Sequence, residues 1–277
     1  MALKDKERKR IERVIAKKNI KENKGKFIFY ILIRLFVVGM IVIQALNQNF
    51  ENVFVCVLTL ILFMIPAFVE RGLKIELPNT LEVMIILFIF AAEILGEINE
   101  FYVLIPAWDT MLHTINGFLM AAIGFSLVDI FNRSERTKFF LSPVFLAVVA
   151  FCFSMTIGVL WEFFEFGADM LLHTDMQKDT FVSQFASVSL HPEGRNIPIP
   201  VNDITQTIIK TADGTSYTLG AYLDIGLIDT MKDLIVNFFG AVAFSIIGFF
   251  YIKSRGKNKF ADRFIPKLMP EEDEEQI

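Results

Sequence analysis

The sequence predicts an all-α membrane protein, a bundle of about six transmembrane helices with one long extracytoplasmic loop. Hydrophobic residues make up 54% of the 277, and 30 of them are Phe, a composition that few water-soluble domains carry. Apolar runs of spanning length recur at six places, near residues 27–46, 52–69, 80–99, 110–130, 140–161 and 230–252. A hydrocarbon core of ~30 Å needs about 20 helical residues, which each run supplies. The third observation is the segregation of the basic residues into alternate connections, whereas the net charge of −4 is small.

That segregation sets an expected orientation, because Lys and Arg are retained on the cytoplasmic side. The first 26 residues hold eleven of them, followed by Arg71 and Lys74, then Arg133, Arg136 and Lys138, then Lys253, Arg255, Lys257, Lys259, Arg263 and Lys267. All four groups fall on one side of a six-span arrangement. The opposite connections have none at 47–51, none at 97–109, and only Lys178, Arg195 and Lys210 before the last span. The expected organisation is therefore a basic cytoplasmic segment (1–26), five spans (27–173), an extracytoplasmic loop (174–228), a sixth span (229–253) and a cytoplasmic tail (254–277), with both termini cytoplasmic.

The N-terminal segment has a charged region too long for a signal peptide, and no small-residue cleavage site follows its first apolar run. Ile11, Val14 and Ile15 among its Lys and Arg suit a basic helix on anionic lipid, or a solvated tail that only sets topology. The first span carries Arg34 about a third of the way in, from where it is expected to snorkel to the headgroups. The second has no charge, with Pro66 placed to kink its end. The third follows Pro78 with Asn79 or Thr80 as N-cap. It ends in Glu93, Glu97 and Glu100, spaced as one helix face. Tyr102 and Trp108 around Pro106 fit an interfacial aromatic belt.

The fourth span opens on Trp108-Asp109-Thr110-Met111-Leu112-His113. A carboxylate and an imidazole four residues apart share one helix face, and Gly117 continues it. Gly117, Ala121 and Gly124 would let another helix approach closely. Asp129 is expected near the cytoplasmic interface. The fifth span stays apolar from Phe140 to Leu160. Trp161 then marks the interface, and Glu162, Glu165, Asp169 and His173 follow at spacings that keep them on one face and carry it into water. The polar loop reads as a hairpin around Ala212-Asp213-Gly214, since Asp-Gly suits a turn with positive φ; a small cap over the outer face and a flexible connector both fit its length. The sixth span places Asp229, Asp233, Asn237 and Gly240 along one face. Cys56 and Cys152 both lie in spans, which excludes a disulfide framework and a thiolate metal site.

With this orientation, the polar ends of the third to sixth spans meet in one outer layer. The Asp109/His113/Gly117 element, the Trp161-Glu162-x-x-Glu165 element and the Asp229-Thr-Met-x-Asp233-x-x-x-Asn237-x-x-Gly240 element resemble the YjdF-like bacterial inner-membrane proteins. The Asp-x-x-x-His and Asp-x-x-x-Asn-x-x-Gly parts are also similar to the more distant VanZ-like proteins linked to glycopeptide resistance. The likeness covers roughly residues 80–250. It implies a multi-pass protein of the bacterial inner membrane and brings no reaction with it.

Chemistry narrows the task further. Nine carboxylates (Glu93, Glu97, Glu100, Asp109, Glu162, Glu165, Asp169, Asp229, Asp233) have one cation near them in sequence, Lys232. Like charges crowded together must either hold protons or bind a cation. His113, Glu162, Glu165 and Asp233 form the expected metal set, the N/O donors of a catalytic zinc site, whereas an all-oxygen set would suit calcium, magnesium or manganese. Asp109, His113, Glu162, Asp229, Asp233 and Asn237 form the expected catalytic set, in which a carboxylate off the metal serves as general base. Three functions fit: a metal-dependent hydrolase or transferase acting on a lipid-linked or envelope substrate, a noncatalytic scaffold or envelope-stress factor with a structural polar layer, and a cation-binding transporter. Transport would need polarity continuing through the bundle, and the inner halves offer little. Membrane lipid is the expected partner, and nucleic acid is not, since the basic residues follow the membrane face.

Overall fold

The structure, a computed structural model, describes residues 24–73, 75–133, 141–254 and 260–268. The amphipathic stretch around Ile11, Val14 and Ile15 lies outside the described residues. In chain order the helices are α1 (Lys24–Leu46), α2 (Phe50–Leu62), α3 (Ile65–Leu73), α4 (Asn79–Phe90), α5 (Phe101–Leu104), α6 (Trp108–Arg133), α7 (Pro143–Leu172) and α8 (Leu227–Lys253). Among the described residues, α1, the α2–α3 pair, α6, α7 and α8 are each long and apolar enough to cross a membrane. A further passage is α4 extended directly by an eight-residue π-helix, Ala91–Ile98.

The second passage is broken where Phe63 and Met64 form a turn before Pro66 enters the first turn of α3. Proline is tolerated there because its missing N–H has no helical acceptor to lose. The break exposes the Phe63 carbonyl, and Arg34 of α1 donates to it at 3.2 Å and to the Tyr30 carbonyl at 3.4 Å. Its guanidinium also stacks 5.3 Å from the Tyr30 ring and 5.9 Å from the Phe63 ring. Arg34 therefore does not reach for headgroups as expected; a nearer unsatisfied carbonyl takes it. Asn79 likewise accepts from Lys26 at 3.0 Å rather than capping α4.

The π-helix changes the fate of the third acidic stripe. Its wider turn shifts residues off the 3.6-residue repeat, and the helix ends at Ile98 before Glu100, which sits at φ 58°. Glu93 is half-buried and Glu97 exposed, still close enough to interact, whereas Glu100 lies past the helix end and is exposed, so it leaves the stripe.

The centre of the molecule is a three-helix unit of α6, α7 and α8. α6 and α8 start at the same end and run parallel; α7 runs against them. A Cβ on Gly117 would overlap the Asn237 carbonyl oxygen, and a Cβ on Gly240 would overlap the Thr114 carbonyl oxygen. Only paired glycines let two backbones come this close, the usual way membrane helices gain contact without a hydrophobic drive. Gly158 of α7 leaves room for the Asn237 amide, whose nitrogen would stand 2.7 Å from a Cβ there. Ser154 closes the unit from α7 by donating to the Gly117 carbonyl at 2.7 Å. Farther along, Phe118, Phe125 and Phe244 pack edge to face.

Between α7 and α8 the chain forms short antiparallel ladders. β2 (Thr180–Val182) pairs with β7 (Tyr222–Asp224), β3 (Phe185–Ser187) with β4 (Ile199–Val201), and β5 (Thr207–Lys210) with β6 (Ser216–Leu219) around the Asp213-Gly214 turn. Asp213 accepts from the Thr211 and Thr215 hydroxyls and the Thr215 amide, which holds its carboxyl below the usual carboxylate range. At the other end of the bundle, the chain after α8 returns: β8 (Lys267–Leu268) pairs with β1 (Ile75–Glu76), and Phe264 packs 5.2 Å from Phe118. Where it is described, this stretch is part of the core, with Ala261, Phe264 and Ile265 buried.

Candidate metal centre between α6, α7 and α8

The parallel run of α6 and α8 brings the first two turns of both helices side by side. One turn beyond the Gly117–Asn237 contact, His113 faces Asp233; one turn further out stands Asp109. Ligand atoms of Asp109, His113 and Asp233 all lie within 4.8 Å of one another. His113 Nε2 is 3.6 Å from Asp109 Oδ1 and 4.0 Å from Asp233 Oδ2. Its other nitrogen, Nδ1, faces Glu162 Oε1 of α7 at 3.9 Å. These separations are too long for direct hydrogen bonds.

Burial makes those gaps significant. His113, Glu162 and Asp233 are 8%, 4% and 3% exposed. Both carboxylate oxygens of Glu162 and Oδ2 of Asp233 are buried without a hydrogen-bond donor in good geometry. Gln177 donates to Thr230, and both approach Glu162 without closing such a bond. A buried carboxylate left this way costs several kcal/mol unless something positive meets it.

The remaining predicted residues separate by what they touch. Glu165 is buried beside Glu162, and one of its oxygens accepts from Trp161 Nε1 at 2.7 Å. Asp229 is half-buried and accepts from the Lys178 amide at 2.6 Å. The metal set expected from sequence is His113, Glu162, Glu165 and Asp233; the three residues that meet geometrically are Asp109, His113 and Asp233, so Asp109 enters, while Glu162, on the other side of the imidazole, and Glu165 stand outside. Asn237, expected in the catalytic set, sits a turn deeper and fully buried. It accepts from Asn116 at 3.2 Å, and its amide nitrogen lies 3.5 Å from the Ser154 carbonyl. Its polar atoms are spent on holding three helices.

Asp169 and His173 do not repeat the Asp109/His113 pair. His173 is exposed at φ 56°, where α7 ends. Asp169 accepts from the amides of Met176 and Gln177 and from the Thr174 hydroxyl, turning the chain back across the bundle end. Asp129, expected near the cytoplasmic interface, lies near the end of α6 and is buried at 3% exposure.

That turned-back strap holds residues that sequence reasoning missed. Gly226 at φ 89° lets the start of α8 press on Gln177, whose Cβ would stand 2.6 Å from a Cβ at 226. Gln177 and Lys178 thereby sit beside Glu162 and Asp229, although about fifty residues separate them from α8. Lys178 is a second described cation: its charge reaches Asp109, Asp169 and Glu97, while that of Lys232 reaches Asp229. Gly226 is the one local signal for this approach. Trp108 also joins the rim, with its ring 4.9 Å from Phe101 and its Nε1 buried without an acceptor.

Comparison with known proteins adds a family and no reaction. A stretch of 107 residues is 25% identical to a protein of Thermotoga maritima described as uncharacterized; it covers 39% of this chain and 53% of that relative. The chain thus aligns with only about half the length of that relative. No solved structure matches. The family described as "Predicted membrane protein (DUF2238)" matches residues 28–254, from the start of α1 to the end of α8, and the chain belongs to it.

Proposed function

We propose that Asp109, His113 and Asp233 bind one divalent cation on the extracytoplasmic side of a bacterial inner membrane. In this reading the protein is a metal-dependent hydrolase or transferase for a lipid-linked or envelope substrate. The observation that carries the proposal is the Asp–His–Asp cluster itself, half-buried at Asp109 and buried at His113 and Asp233, with a buried carboxylate oxygen lacking a donor on each side of the imidazole. One imidazole and two carboxylates are the N/O donors a zinc-like first-row ion takes, leaving a fourth position open for water or substrate. Such an ion would supply Lewis-acid polarisation and activate water.

The protein's own groups divide the remaining work. Nε2 of His113 points to the two aspartates, so Nδ1–H is free to face Glu162, the arrangement that fixes the tautomer and orientation of a ligating histidine. Glu162 thereby orients His113 through Oε1 and keeps Oε2 to accept a proton, the role of a general base. Trp161 and Lys178 hold Glu165 and Asp229 in place around this centre. The outward orientation follows from the basic residues of the opposite connections and tail. A transport route has less support: Ser126 and Ser154 below the site give their hydroxyls to the Ala122 and Gly117 carbonyls.

The test is thermal unfolding of purified protein after chelation, with zinc, manganese, magnesium or calcium then returned singly. The ion that binds should restore a higher Tm in the wild type and not in His113→Ala or Asp233→Asn. At a free ion concentration a hundred times its Kd, the gain is about 2.7 kcal/mol. A wild type that responds to no ion, or variants that respond equally, would overturn the metal centre.

A further inference from the structure

α7 is longer than its task as a membrane span requires. Its 30 residues, Pro143–Leu172, have a mean hydropathy of 2.4 over their most apolar window. At ~1.5 Å per residue the helix runs about 45 Å, against a hydrocarbon core of ~30 Å. Glu162 and Glu165 lie ten and seven residues before its end. Beyond them the helix has two sides of opposite character. Ala168 is buried and Asp169 latches the strap. The free side carries Phe166, Met170, Leu171 and Leu172, between 56% and 80% exposed.

A helix end standing in water puts polar residues on its free side. This one puts none there, and the apolar face continues without interruption from Phe163 and Phe164, at the level of the site, to Leu172. It is the same side of the helix that stays exposed through the rest of the span, from Val144 and Phe145 onward. The α8 side of the site also exposes Leu227 and Met231, but it differs in carrying a charge among them, Lys232, exposed beside Asp233, on a stem long enough to extend an ammonium toward headgroups.

We infer that lipid acyl chains cover α7 as far as Leu172, so that the α7 side of the site lies beneath the headgroups while the α8 side meets them. An amphiphile can then reach the site sideways from the leaflet, its chains along Phe163, Phe166 and Met170 and its polar group at Asp109, His113 and Asp233. The lipid contact stands on the apolar face of α7 alone; the identity of the substrate class as a lipid-anchored one rests on the metal-centre reading proposed above.

The chain has two tryptophans, Trp108 and Trp161. A Trp108→Phe, Trp161→Phe, Leu171→Trp variant places the sole indole at the end of the apolar face, and Met170→Trp in the same background serves if the first fails to accumulate. Each is reconstituted in phosphatidylcholine vesicles with bromines placed at different depths along the acyl chains. The expected result is loss of most of the emission with bromines in the upper chain and little quenching by aqueous iodide. Quenching by iodide alone would show water on this face, and quenching by neither would show a protein surface such as a second copy; both overturn the inference. Metal-dependent stabilisation, measured on the wild type alongside, separates the two proposals: a failed Tm response with intact lipid quenching removes the metal centre and leaves the lipid contact standing.

Discussion

Where α6 meets α8, two glycines bring backbones into contact; where α1 meets α2, side chains make the contact, with Arg34 reaching across to the Phe63 carbonyl. The first region is stiff because nothing in it can be displaced: Gly117, Gly240 and Gly158 face backbone or a buried amide, and Asn237 ties all three helices. In the second region, α1 is mostly exposed, Gly39 has nothing within 4 Å, and a broken helix is closed by Arg34. The difference explains the location of the candidate centre. Three side chains from different turns can be kept at ligand spacing only by a scaffold whose own contacts are fixed, and the site stands on the rigid half, one turn above the glycine contact.

The largest effect that would sharpen this contrast is expected at the helix crossing. Gly240→Leu and Gly117→Leu should each destabilise by about 3 kcal/mol or more, since overpacked sites cannot relax against backbone. Gly39→Leu should change stability by no more than about 0.5 kcal/mol, as for an open surface position. Chemical or thermal unfolding in detergent checks both, and equal effects in α1 and α8 would break the comparison. Asn237→Leu comes next, with a loss of about 2 kcal/mol, because it strands Asn116 in a buried setting. His113→Ala should leave the unfolding of the chelated protein near that of the wild type and remove only the metal response. Arg34→Met should cost about 1 kcal/mol by freeing the Phe63 carbonyl, with no loss of the metal response. Gly214→Cys in the exposed β5–β6 turn tests orientation rather than stability, since at φ 89° a side chain strains that turn but touches nothing else. This variant should react with an impermeant thiol reagent in intact cells, whereas labelling only after lysis would reverse the proposed orientation.

Much of the fold was legible because it is written in local periodicity. The spans, the Asp213-Gly214 turn and the polar faces of α6, α7 and α8 each follow from neighbours a few residues apart. The Asp109-x-x-x-His113 spacing placed both groups on the face that meets Asp233. What was illegible depends on partners distant in sequence or on departures from the regular repeat. The π-helix ends at Ile98 and leaves Glu100 outside the helical repeat, while Glu97 stays within reach of Lys178. The strap residues Gln177 and Lys178 reach Glu162 and Asp229 only because Asp169 turns the chain, and no periodic pattern encodes that. Asn237 looked like a site residue because a polar amide on a membrane helix face reads the same whether it faces a ligand or Asn116. Arg34 found an acceptor that the break at Phe63 creates, and the sequence around Pro66 hinted at the break without naming its partner.

The central claim is that Asp109, His113 and Asp233 form one ligand set. X-ray absorption at the metal edge of zinc-loaded protein tests it most directly. The account predicts a first shell of nitrogen and oxygen at ~2.0–2.2 Å, with imidazole outer-shell scattering that disappears, together with stoichiometric zinc, in His113→Ala. A sulfur-containing shell, or a spectrum and stoichiometry unchanged by His113→Ala, would contradict it.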